Sequence, residues 1–74
     1  GLTMRSLPIS NAYSKKPGLT HYLKGRIVDN RVESLEHQSS SMLNSFAGSN
    51  CLIIIPQESA EIEPETQVSV YMLP

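Results

Sequence analysis

Hydrophobic positions in this chain recur mostly at every second residue, in short runs broken by polar turns, which is the spacing of strands. From Leu19 onward, Leu19, His21, Leu23, Gly25 and Ile27 fall on one side, and Thr20, Tyr22, Lys24, Arg26 and Val28 on the other. Asp29-Asn30 then reads as a two-residue hairpin turn, with Arg31 to Glu36 returning as the partner strand. Near the end, Val68, Val70 and Met72 alternate with Ser69, Tyr71 and Leu73, giving a final strand. Cys51 to Ile55 is an unbroken apolar run stopped by Pro56, as expected of a strand buried on both faces. Leu2, Met4, Leu7 and Ile9 around Arg5 give a further strand, which Pro8 restricts to an edge or an end. Asn11 to Gly18 and the acidic stretch Gln57 to Thr66 read as loops, the second anchored by Ile62.

One segment departs from the strand period. Ser39, Ser40 and Ser41 stand before Met42, Leu43, Phe46 and Ala47, and Gly48 follows. Hydroxyls in that position cap the free amides of a helix start, and a glycine stops the helix. Four or five short strands with one helical turn predict a mostly β fold, a small β-clip or incomplete β-barrel. Residues 1–16 are assigned to an N-terminal edge strand and inter-domain linker, and residues 17–74 to the β domain.

Composition narrows the class. With 74 residues the chain builds one small domain, a size at which burial alone gives marginal stability. A single cysteine, Cys51, excludes an internal disulfide, and with His21 and His37 it falls short of a closed zinc site. No apolar run approaches the ~18 residues of a spanning helix, and no apolar h-region follows the first charges. These features predict a cytoplasmic protein that does not enter a membrane, or a domain of something larger. The net charge of −1 hides a split: residues 1–31 carry all six basic side chains and one aspartate, a net of +5, while residues 32–74 carry six glutamates. A basic half of this kind suits an anion or an acidic neighbouring surface.

Candidate chemistry is sparse. A helix start with free amides and hydroxyls favours an anion, because unpaired N–H groups and the peptide dipoles converge there. Ser39 and Ser40 are therefore either caps or ligands. Lys24 shares a strand face with Tyr22 and Arg26, which together suggest a positive patch. His37 has no third group to orient it as the base of a Ser40 nucleophile. Cys51, followed by Leu-Ile-Ile-Ile, reads as a buried small hydrophobe. Nucleic-acid binding by the basic half lacks interleaved aromatics, since Tyr13, Tyr22, Tyr71 and Phe46 are the whole supply. No catalytic set and no metal ligands stand out.

The order of motifs resembles a known family. Pro17-Gly18, Tyr22-Leu23-Lys24-Gly25, His37-Gln38-Ser39-Ser40 with Ser41 to Phe46, Gly48-Ser49-Asn50-Cys51-Leu52-Ile53-Ile54-Ile55-Pro56 and Val68-Ser69-Val70 are similar to the C-terminal domain of molybdopterin molybdenumtransferases, the MoeA and gephyrin E-domain family. The family pattern reads approximately Pro-Gly-Arg-x-x-Phe-x-Arg-Gly, Gln-Gly-Ser with a Ser-Ser pair downstream, Asn-Gly/Cys-Leu-Ile with a Pro, and Val-x-Val. The resemblance spans most of residues 17–73.

It implies the last domain of an enzyme that inserts molybdate into adenylylated molybdopterin, closing one wall of the active-site cleft. Most catalytic and magnesium-binding groups then lie in the preceding domain of the same chain, this domain supplies oxyanion ligands, the full-length protein is a homodimer, and the isolated domain binds no cofactor and is inactive. The family arginine before glycine falls on Lys24, the Gln-Gly-Ser glycine on Ser39 and its serine on Ser40, so these three become the oxyanion-binding candidates. Lysine keeps the charge but loses the bidentate fork. Ser39 in place of glycine restricts backbone approach, and Leu19 replaces the arginine after Pro-Gly. The second reading is a protein-interaction module, since gephyrin-type relatives bind receptor peptides with this domain and its neighbour. A nucleic-acid-binding β domain is third.

Overall fold

The computed structural model describes residues 3–35 and 50–73. Among the described residues seven strands run in the order β1 (Thr3–Pro8), β2 (Tyr13–Ser14), β3 (His21–Val28), β4 (Arg31–Ser34), β5 (Cys51–Ile55), β6 (Glu61–Ile62) and β7 (Gln67–Met72). Five form one antiparallel sheet in the order β1-β7-β5-β3-β4, and β2 pairs with β6 in a separate two-stranded ribbon.

The β3–β4 hairpin follows from its turn. Asp29 and Asn30 both take positive φ, 54° and 62°, the conformation a tight two-residue hairpin loop requires and one that Asp and Asn tolerate best after glycine. That turn sets the register Val28↔Arg31, Ile27↔Val32, Arg26↔Glu33 and Gly25↔Ser34.

The two edges of the sheet meet at one end. Ile9, just after β1, forms a parallel bridge to Val32 of β4, and the Ser10 amide donates to the Val32 carbonyl at 2.8 Å. Asn11 then pairs with Ser34 like a short strand: its Oδ1 accepts the Ser34 amide (3.0 Å) and its Nδ2 donates to the Ser34 carbonyl (3.1 Å). Arg31 of β4 forms an ion pair with Glu65 in the turn before β7, and the Glu65 amide donates to the Ile9 carbonyl at 2.7 Å. The sheet is thus curled and partly closed, an incomplete barrel with its core inside. Ile9, Val32, Cys51, Ile53, Ile55 and Val70 have no exposed surface, and Leu7, Leu23, Ile62 and Val68 complete the cluster.

Several sequence readings change. Asn11–Gly18 and Gln57–Thr66, read as loops, contribute the two residues each of β2 and β6. Leu19 falls on the same side of the alternation as Leu23, yet it is 74% exposed and precedes β3. The cause is the turn at Gly18, whose φ of 132° and hydrogen bond from its amide to the Gln57 carbonyl bring the chain in ahead of the ladder. β5 is buried on one face only; Leu52 and Ile54 on the other are half covered. The helical turn expected over residues 42–47 lies outside the described residues.

Candidate functional site

Lys24 sits in the middle of β3 on the outer face of the sheet, half-buried and directly opposite Leu52 of β5. Tyr22 and Arg26 flank it on the same face, as the alternation predicted. The patch is less positive than the sequence suggested, because Arg26 is held by Glu33: its guanidinium reaches Glu33 Oε1 at 2.7 Å. These two residues oppose each other in the hairpin register, so the two-residue turn already contained the signal.

The backbone at Lys24 and the next residue is a junction. The Leu35 amide donates to the Lys24 carbonyl and the Asn50 amide to the Gly25 carbonyl, both at 3.0 Å. Asn50 Oδ1 also accepts the Ile27 amide (3.0 Å), and its carbonyl accepts the Leu73 amide (3.1 Å), which ties β3, β5 and β7 together at that end. Gly25 is required by packing. A Cβ there would lie 2.8 Å from Ile53 Cδ1, closer than side-chain carbons come without something shifting, and a tight 3.1 Å from the Glu33 carbonyl oxygen. The glycine lets β4 and β5 close on β3 directly behind Lys24.

Ser39 and Ser40 lie outside the described residues, as does His37. Lys24 is therefore the one oxyanion candidate the structure places. His21 is turned to a structural contact, with Nδ1 sharing a 2.8 Å hydrogen bond with the Tyr13 hydroxyl and the two rings edge to face at 6.0 Å. Burial pushes the Cys51 thiol up to about 11, which removes it as a nucleophile near neutral pH. Among the described residues no group of three or more His, Cys, Asp or Glu side chains comes together as metal ligands would. Among the same residues no helix is long and apolar enough to cross a membrane. Sequence reasoning missed Asn11 and Asn50, whose side chains do the work of backbone; an asparagine beside a strand was the only hint available.

The family model described as the MoeA C-terminal region, domain IV, matches residues 6–73. The chain belongs to this family. Solved structures agree in fold. A molybdopterin biosynthesis MoeA protein from Pyrococcus horikoshii OT3 superimposes with a TM-score of 0.80 at 15% identity, over 96% of this chain and 18% of that one. A molybdenum cofactor biosynthesis protein from Pyrococcus furiosus gives 0.79 at 13% identity, over 96% of this chain and 26% of that one. This MoeA C-terminal-type chain thus spans about a fifth to a quarter of the length of those solved relatives. No curated protein gives a significant sequence match. At these identities the superpositions establish the fold and leave the chemistry to the residues. The matched span starts at Ser6 and so includes part of β1, which hydrogen-bonds along β7 as the sheet's edge strand.

Proposed function

We propose that this chain works in molybdenum cofactor biosynthesis, as the C-terminal domain of a protein that inserts molybdate into adenylylated molybdopterin, and that its outer face at Lys24 forms one wall of the active-site cleft. The observation that carries the reading is the junction at Lys24-Gly25. Consecutive carbonyls of these residues hold the amides of Leu35 and Asn50, and in the sequence the hydroxyl-rich run with Ser39 and Ser40 lies between those two anchors. A molybdate dianion needs a cation and several short hydrogen-bond donors converging on it. Lys24 supplies the cation, and Ser39 and Ser40 are the proposed donors.

The chemistry assigned to this domain is electrostatic. The Lys24 ammonium neutralises charge on the oxyanion and orients it; no proton transfer or covalent step is given to these residues. The remaining domains of the same chain supply the opposite wall, in a homodimeric cytoplasmic protein.

The test uses the protein that carries this domain together with its neighbours. Lys24→Ala and Ser40→Ala are each expected to raise the KM for molybdate about tenfold, a loss in keeping with removal of one charge-assisted hydrogen bond, while melting temperatures stay near that of the parent. Unchanged molybdate dependence in both variants would refute the assignment. The isolated 74 residues are expected to show no turnover.

A further inference from the structure

Lys24 shares its face of the sheet with an apolar floor. Across the strands Lys24 opposes Leu52, Leu52 opposes Tyr71 and Tyr71 opposes Met4. One step along, Tyr22 opposes Ile54. Leu52, Ile54 and Tyr71 are half-buried, whereas Tyr22 is 63% exposed. Tyr22 and Lys24 are two residues apart on one strand, which puts their Cα atoms about 7 Å apart with both side chains on the same face. Arg26, the other neighbour of Lys24 on this face, is held by Glu33.

We infer that Tyr22 is the stacking residue for the planar heterocycle of the anionic substrate, with Leu52 and Ile54 as the apolar floor beside it. The inference rests on the oxyanion reading of Lys24 and goes beyond it by placing the organic part of the substrate. A ligand with an anion at one end and a flat ring at the other needs a cation and an accessible π-face a few ångströms apart, and this face presents both. Stacking on an aromatic side chain tolerates different heterocycles, because each has a π-face to offer. An exposed tyrosine opposite an isoleucine serves that purpose without being needed to hold the core together.

Adenine and pterin share this chemistry, and the experiment separates them. In the protein carrying all its domains, binding of molybdate, of 5′-AMP and of adenylylated molybdopterin is compared for the parent, Tyr22→Ala, Tyr22→Phe and Lys24→Ala. Tyr22→Ala is expected to weaken adenylylated molybdopterin about tenfold, within the range for loss of one stacked ring, and to leave molybdate within about twofold, with Tyr22→Phe close to the parent. An equal loss for 5′-AMP assigns the ring to adenine, and an unchanged 5′-AMP affinity assigns it to the pterin. Unchanged binding of adenylylated molybdopterin by Tyr22→Ala, or an equal loss in Tyr22→Phe, overturns the stacking role even where Lys24→Ala loses molybdate. Parent-like molybdate binding by Lys24→Ala overturns the oxyanion reading, and this inference with it.

Discussion

On the inner face of β5, Cys51, Ile53 and Ile55 have no exposed surface, while Leu52 and Ile54 on the outer face of the same strand keep part of theirs. The residue types are nearly the same, so hydrophobicity does not distinguish the two faces. Position in the curl does. The inner side chains are enclosed by β1, β3, β4 and β7, whereas nothing among the described residues packs the outer ones to the same degree. The inner face holds the fold, and the outer face carries Lys24 and Tyr22, where the proposed ligand would be met.

The most severe test of that division is a matched pair on β5. Ile53→Ala removes a fully enclosed side chain and is expected to cost about 2–5 kcal/mol, transfer and cavity terms together. Ile54→Ala is expected to cost less than half as much, because its side chain is already partly in water. Urea melts of both variants measure the difference, and equal losses would mean that the outer face is as much core as the inner one.

Gly25→Ala probes the inner face from the opposite direction, by adding volume. The new methyl would press on the Ile53 side chain and on the backbone oxygen of Glu33, and only the first can yield. An expected loss of about 1–3 kcal/mol follows from overpacking, read as a lowered urea midpoint. An unchanged midpoint would show that β3 and β4 can part behind Lys24.

The buried thiol gives the inner face a pH signature. Cys51 rises from 9.0 to about 11 on folding, because burial penalises the thiolate. The folded state therefore keeps its proton where the unfolded chain loses it. This contribution is fully present below pH 9, declines as pH climbs toward 11 and reaches about 3 kcal/mol in total. Cys51→Ala is expected to flatten the stability profile between pH 9 and 11 relative to the parent, measured by urea melts across that range. A profile identical in both proteins would exclude the thiol as its source.

The sequence made some of this legible and hid the rest, for identifiable reasons. The β3–β4 hairpin was readable because alternation and a two-residue turn agree, and its register carries the Arg26–Glu33 pair with it. β2 was not readable: Tyr13-Ser14 is two residues long and depends on Glu61-Ile62, far away in the chain. The run Cys51–Ile55 has no period, so nothing local could tell a strand covered on both faces from one half open. Closure of the barrel through Asn11 and the Arg31–Glu65 ion pair depends on contacts between distant segments that no local pattern encodes. The placement of Lys24 beside Tyr22 was legible from alternation alone. What surrounds them needed the fold.

The smallest effect expected is at Leu52, and it sharpens the contrast most. Leu52→Thr introduces a β-branched side chain suited to a strand, and the hydroxyl on this half-covered face has water within reach. Its cost in stability is expected to stay within about 1 kcal/mol, against several for a change of similar size at Ile53. Because Leu52 stands directly opposite Lys24, the same substitution is expected to weaken the heterocyclic substrate in the protein with all its domains, since it removes part of the apolar floor. Thermal melts and substrate titration of one variant thus report the two faces separately. A loss of stability as large as that of Ile53→Ala would make the outer face part of the core, and a ligand floor there would then be untenable.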